Sequence, residues 1–108
     1  MDLATTLRGL NRTEAGIVNR VLERSSGRLE RLLDGPTTLR VVVESAQPEY
    51  RATLSLNIPG ASLTSEGNGH ELATVLAGAC EKLRGQMVRA RHRRESQRHR
   101  AVLRPAQT

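Results

Sequence analysis

Phenylalanine and tryptophan are missing from this chain of 108 residues, and Tyr50 is its one aromatic. Without large rings the core has to be assembled from Leu, Val, Ile and Ala, and stacking on nucleobases is largely closed as a mode of recognition. Cysteine is nearly absent as well. Cys80 has no partner for an internal disulfide, and its place beside an apolar stripe reads as a small buried residue rather than a reactive thiol. A reducing, intracellular setting fits that reading. Long hydrophobic runs are lacking too: no segment approaches the roughly 20 apolar residues of a spanning helix. Met1 to Leu10 has no continuous apolar region of the secretory kind. The expectation is a cytoplasmic protein without a membrane partner.

What is scarce in one place only is negative charge. From Met1 to Glu81 there are eight basic and ten acidic side chains, whereas Lys82 to Thr108 carries nine basic and one acidic, Glu95. The whole net charge of +6 therefore comes from the last quarter. A localised cationic excess is the footprint of phosphate recognition more than of small-molecule catalysis; a solvated basic tail is the plain alternative.

The length suits one small domain, able to bury about two thirds of its unfolded surface. We divide it into a single binding domain over residues 1–94 and a basic extension over 95–108, with Pro105 to Thr108 expected to fray. Met1 to Leu10 alternates weakly, as an edge strand would. Asn11 or Thr13 can cap a first helix over Glu14 to Leu33, in which Val18, Val21, Leu22, Ser25, Leu29, Leu32 and Leu33 share a face. Asp34, Gly35 and Pro36 stop it. Three strands follow. Thr38 to Ser45 turns Leu39, Val41 and Val43 inward, and after a turn at Ala46 to Glu49, Tyr50 to Ile58 turns Ala52, Leu54, Leu56 and Ile58 inward. Ala61 to Glu66 is a shorter third strand, with Gly67, Asn68 and Gly69 read as a turn leading into a long helix from Glu71.

That helix changes character along its length. Leu72, Val75, Leu76, Ala79, Leu83 and Met87 recur every three or four residues as a buried face would, and then the stripe gives way to arginines. The fold class expected is α+β: a two-layer sandwich of β-α-β-β-β-α order, with a mostly antiparallel four-stranded sheet carrying both helices on one face, akin to the double-stranded RNA-binding fold.

No catalytic constellation is visible in the sequence. There is no phosphate-loop motif, and His92 and His99 lie among arginines that would repel a metal. We expect no enzyme, no cofactor, no metal and no small-molecule substrate. The candidate binding residues are basic. Arg20, Arg24, Arg28 and Arg31 follow at intervals of four, four and three along the first helix; Lys82, Arg89 and Arg93 fall on one flank of the second, Arg84 and Arg91 on the other, and Arg94 beyond. Helices side by side would join the first stripe to one flank of the second as an arginine-lined groove. Such a groove suits a phosphate backbone, and RNA, read mainly through shape and phosphates, is the better guess than DNA.

Several segments together suggest a family. RLERLLD from Arg28 to Asp34, the strand LRVVVES, the strand and turn ATLSLNIPG, and GHELATVLAGACEKLRGQMVRARHRR with Lys82, Leu83, Gln86, Met87 and Arg89 in its pattern resemble the ribosome hibernation-promoting factors, or ribosome-associated translation inhibitors, in a short form. The resemblance implies a non-enzymatic protein that sits in the small ribosomal subunit, contacts its ribosomal RNA, blocks the path of messenger and transfer RNA, and is monomeric off the ribosome. It carries the family's basic positions onto Arg28, Arg31, Lys82, Arg89, Arg91 and Arg93. It departs from the family pattern at Ala73, where an aromatic is common, in the degenerate first strand, and in about two extra residues around Ser25 to Gly27. A generic binder of structured or double-stranded RNA, without ribosomal preference, is the alternative.

Overall fold

The computed structural model describes the backbone of residues 1–103 and the side chains of residues 1–93 and 95. Its elements are β1 (Asp2–Arg8), α1 (Arg12–Glu30), β2 (Thr38–Ala46), β3 (Glu49–Ile58), β4 (Ala61–Gly69) and α2 (Leu72–Leu103). The strands form one sheet in the order β1-β2-β3-β4, with β1 parallel to β2 and the other pairs antiparallel. This is the expected α+β sandwich. Because β1 and β2 are parallel, the chain must cross over between them, and α1 is that crossover.

Local chemistry sets the boundaries. Asn11 caps α1: its side chain accepts from the Glu14 amide at 2.8 Å, and the Glu14 carboxylate accepts from the Asn11 amide at 2.9 Å. This reciprocal capping box starts the helix at Arg12, two residues before the position expected from the apolar face. The helix also ends sooner, at Glu30; Leu32 and Leu33 follow in a tighter turn, their amides donating to Leu29 and Glu30 carbonyls. They remain partly buried against the core.

The inward residues of the central strands are as their alternation dictates. Leu39, Val41, Val43, Ala52, Leu54 and Leu56 are buried, and they meet Val18, Leu22 and Leu29 of α1 and Leu72, Val75, Leu76, Ala79, Cys80, Leu83 and Met87 of α2 in one cluster. Cys80 is buried and its thiol pKa is raised by desolvation, so the thiol stays protonated. The turn between β2 and β3 is tighter than expected, with Ala46 and Glu49 inside the strands and only Gln47 and Pro48 connecting them.

The reading of Gly67 to Gly69 as a turn is corrected. These residues belong to β4 and pair with Ala52, Arg51 and Tyr50 of β3. Glycine is required at Gly67 because α2 starts directly above, where a Cβ would lie 2.6 Å from the Val75 carbonyl oxygen; at Gly69 a Cβ would crowd a Val75 methyl at 3.0 Å. Buried Ser65 donates to the Ala79 carbonyl at 2.8 Å, tying the same strand and helix together.

Candidate nucleic-acid interface

Strand directions fix helix directions. Both α1 and α2 return antiparallel to the strand that precedes them, and β4 runs the same way as β1, so the two helices run side by side in the same direction. Between them lies a cleft of about 130 Å³ lined by Ser25, Arg28 and Leu29 from α1 and by Ala77, Cys80, Glu81 and Arg84 from α2. Arg28 and Arg84 thus face one space from opposite walls. Arg24 and Arg31 lie four and three residues from Arg28 and share its side of α1, and Arg20 precedes Arg24 by one turn. All four arginines of the α1 stripe are exposed. Arg20 folds back toward its own helix, Nε donating to the Gly16 carbonyl at 3.4 Å.

The expected groove forms at Arg28 and Arg84, but the ten predicted residues do not make one surface. Lys82 lies on the far flank of α2, over the outer edge of β4, where its Nζ donates to the Glu66 carbonyl at 2.9 Å; one turn on, Gln86 Nε2 donates to the Thr64 carbonyl at 2.7 Å. Reading Lys82 as a free phosphate ligand is therefore incomplete, because β4 leaves carbonyls without a neighbouring strand and Lys82 serves one of them. Arg89 and Arg93 continue that flank and are exposed. Arg91 is on the α1 side, 3.5 Å from Glu95, and borders a second cavity of about 270 Å³ with Leu32, Leu33, Ile58 and Met87. Arg84 stands 3.6 Å from Glu81. Both of these ion pairs are exposed and sit on one helix face, the kind worth only about 0.3–0.5 kcal/mol, so neither withholds its arginine from a phosphate. The Arg94 side chain lies outside the described residues, as does the expected fraying of Pro105 to Thr108.

Helix length determines how these charges are presented. At 1.5 Å per residue, the 32 residues of α2 span about 48 Å, well beyond the roughly 30 Å reach of a nine- or ten-residue strand. Among the described side chains, Met87 is the last of α2 in the core cluster and Ala90 the last that is buried. Beyond them the backbone is still helical to Leu103, so Arg89, Arg91 and Arg93 stand at the point where the helix leaves the sheet.

Tyr50 is a packing residue with one polar contact that sequence reasoning missed. Its hydroxyl donates to the second carboxylate oxygen of Glu14, whose first oxygen closes the capping box. The Asn11 backbone bond and then the Tyr50 hydroxyl hold the Glu14 pKa below its usual value of 4.5, while the same carboxylate raises that of Tyr50 above 10.0. A Glu three residues after an Asn was the available signal for the cap; nothing in the spacing linked either to Tyr50. His70 is the exposed turn residue expected, beside Glu49 at 3.8 Å. Among the described residues there is no group of three or more His, Cys, Asp or Glu suited to a metal ion, and no helix long and apolar enough to cross a membrane.

A four-stranded β-α-β-β-β-α sandwich with cationic helices on one face defines the structural class. Within that class, the chain is similar to the N-terminal domain of Protein Y from Thermus thermophilus, with 26% identity, a TM-score of 0.70, and coverage of 82% of this chain and 98% of that one. It shares its fold with a ribosomal subunit interface protein from Coxiella burnetii, at 10% identity and a TM-score of 0.63 over 85% of this chain and 99% of that one. The resemblance to the ribosome hibernation-promoting factors read from the sequence is borne out by these structural neighbours. No family model matches the chain, and no curated protein matches it.

Proposed function

We propose that this protein is a non-catalytic, cytoplasmic factor that binds the small ribosomal subunit through its ribosomal RNA and inhibits translation by covering the path of messenger and transfer RNA. The observation that carries this reading is the placement of Arg28 and Arg84 on facing walls of the interhelical cleft, with exposed Arg91 farther along the same flank of α2 and exposed Arg89 and Arg93 on its other flank where the helix leaves the sheet. Guanidinium groups spaced along a ridge match phosphates bidentately, and with no Phe or Trp and a single Tyr the chain must rely on charge and shape rather than on base stacking. The fold it shares with a protein described as lying at the ribosomal subunit interface supports the choice of partner.

Inhibition in this account is steric. A rigid sandwich held by phosphate contacts excludes other RNA from the space it fills, and needs no reaction to do so. The test is sedimentation with purified small subunits in competition with unrelated duplex RNA. The expected result is that the protein migrates with the subunits and is displaced only by a large excess of duplex. Equal partition between the two would instead make it a general duplex binder, and a protein that stays at the top of the gradient at low salt would defeat the proposal.

A further inference from the structure

The two edges of the sheet are finished differently. On β4 the outward carbonyls of Thr64 and Glu66 accept from Gln86 and Lys82, which closes that edge to another strand. On β1 no side chain among the described residues does the same. The Asp2 amide donates to the Thr37 carbonyl, and alternation along the ladder turns Asp2, Ala4, Thr6 and Arg8 toward β2. The backbone N–H and C=O groups of Leu3, Thr5 and Leu7 therefore point outward. The strand has no proline or lysine, and its charges lie only at its ends. Leu3 and Leu7 are 42% and 36% exposed, although register with Leu39 and Val43 puts their side chains on the face that carries the helices.

We propose that β1 pairs antiparallel with β1 of a second copy of this chain, about a two-fold axis at Thr5. The strand's own sequence favours this register. Centred on Thr5, Leu3 lies opposite the partner's Leu7 and Asp2 opposite the partner's Arg8, each pair occurring twice by symmetry. Leu3, Thr5 and Leu7 are also the residues with outward backbone groups, and directly opposed residues spaced two apart exchange both hydrogen bonds in an antiparallel ladder. The register thus satisfies every outward group from Leu3 to Leu7, joins apolar to apolar and joins opposite charges. A slip of two residues either way sets leucine against Thr5 and separates Asp2 from Arg8.

The product is a continuous eight-stranded sheet with all four helices on one face. Since β4 and α2 lie at the far side of each sheet, the cationic end of α2 is left open in both copies. This departs from the monomer expected from the sequence. A seven-residue edge offers less contact than the roughly 1,200–2,000 Å² of a stable interface, so the dimer is weak and reversible.

Sedimentation equilibrium of the full chain, extended to about 1 mM, tests it. The expected result is a reversible rise from the monomer mass of 11.9 kDa to twice that value. Thr5→Pro removes an outward N–H and none that serves the β1–β2 ladder; it is expected to stay monomeric at every concentration with unchanged circular dichroism. Asp2→Arg is expected to weaken association at least about tenfold by setting like charges opposite each other, and Asp2→Arg with Arg8→Asp to restore it. The charge reversal keeps the test decisive if the proline variant fails to fold. A wild-type chain that remains monomeric throughout overturns the proposal, as does a dimer indifferent to the charge reversal.

Discussion

The two halves of α2 belong to one continuous helix and use their charge in opposite ways. From Leu72 to Met87 the helix is fastened to the sheet, and Lys82 is engaged within the protein by a β4 carbonyl, while Arg84, beside exposed Glu81, is the one cation of this half that faces the interhelical cleft. From Val88 onward, Arg89 and Arg93 have no ion pair among the described residues, and Arg91 has only the exposed Glu95. Counting basic residues therefore overstates the binding surface in the first half. A cation that donates to the protein's own backbone contributes to the fold, whereas one held out by a rigid base with no such bond is presented to an external anion. The first half is expected to govern stability and the second half affinity.

The largest break in that comparison is expected from Leu83→Ala. Leu83 is fully buried in the core cluster, so its loss costs about 2–5 kcal/mol by chemical denaturation, with affinity for the small subunit unchanged while the protein stays folded. Changing Arg89, Arg91 and Arg93 together to alanine should do the reverse. Ribosome binding falls roughly 10²- to 10³-fold near 0.1 M salt, as expected for about three lost phosphate contacts, and the thermal midpoint stays within a few degrees. Lys82→Met sharpens the boundary between the halves: it removes the donor to the Glu66 carbonyl and is expected to cost about 1 kcal/mol of stability, with a smaller loss of affinity than Arg89→Ala.

The smallest effect is expected far from α2, at Glu14. Its carboxyl has a folded pKa below 4.5, so the stabilisation from its two hydrogen bonds is complete above that value and is lost as pH falls through the folded pKa. Tyr50→Phe removes the Tyr50 share, and should flatten the decline of the thermal midpoint between neutral pH and the acid side of 4.5. It should also flatten the decline above pH 10.0, where wild-type Tyr50 ionises at a raised pKa and gives up the bond.

Much of this architecture could be read from the chain because its information is periodic. Alternation at Leu39, Val41 and Val43 and at Ala52, Leu54 and Leu56 fixes a one-sided sheet, and the three-to-four spacing from Leu72 to Met87 fixes the helix that covers it. What escaped reading depends on contacts between segments. Gly67 and Gly69 look like a turn in one dimension, yet they are strand residues kept bare for the Val75 backbone and side chain. β1 was legible as an edge strand despite its weak composition, but not its parallel pairing with β2 along its whole length. The candidate site was legible as arginines on two flanks of the second helix, but not in what each flank faces, since only the position of β4 beneath Lys82 separates a ligand for backbone from a ligand for phosphate.

The measurement that tests the central claim most directly is the salt dependence of small-subunit binding, compared between the wild-type chain and the Arg89, Arg91 and Arg93 to alanine variant. Each phosphate contact adds roughly one unit to the slope of log affinity against log salt, so the variant's slope should be shallower by about three. An unchanged slope would contradict the account, because it would mean that the exposed half of α2 does not touch the RNA.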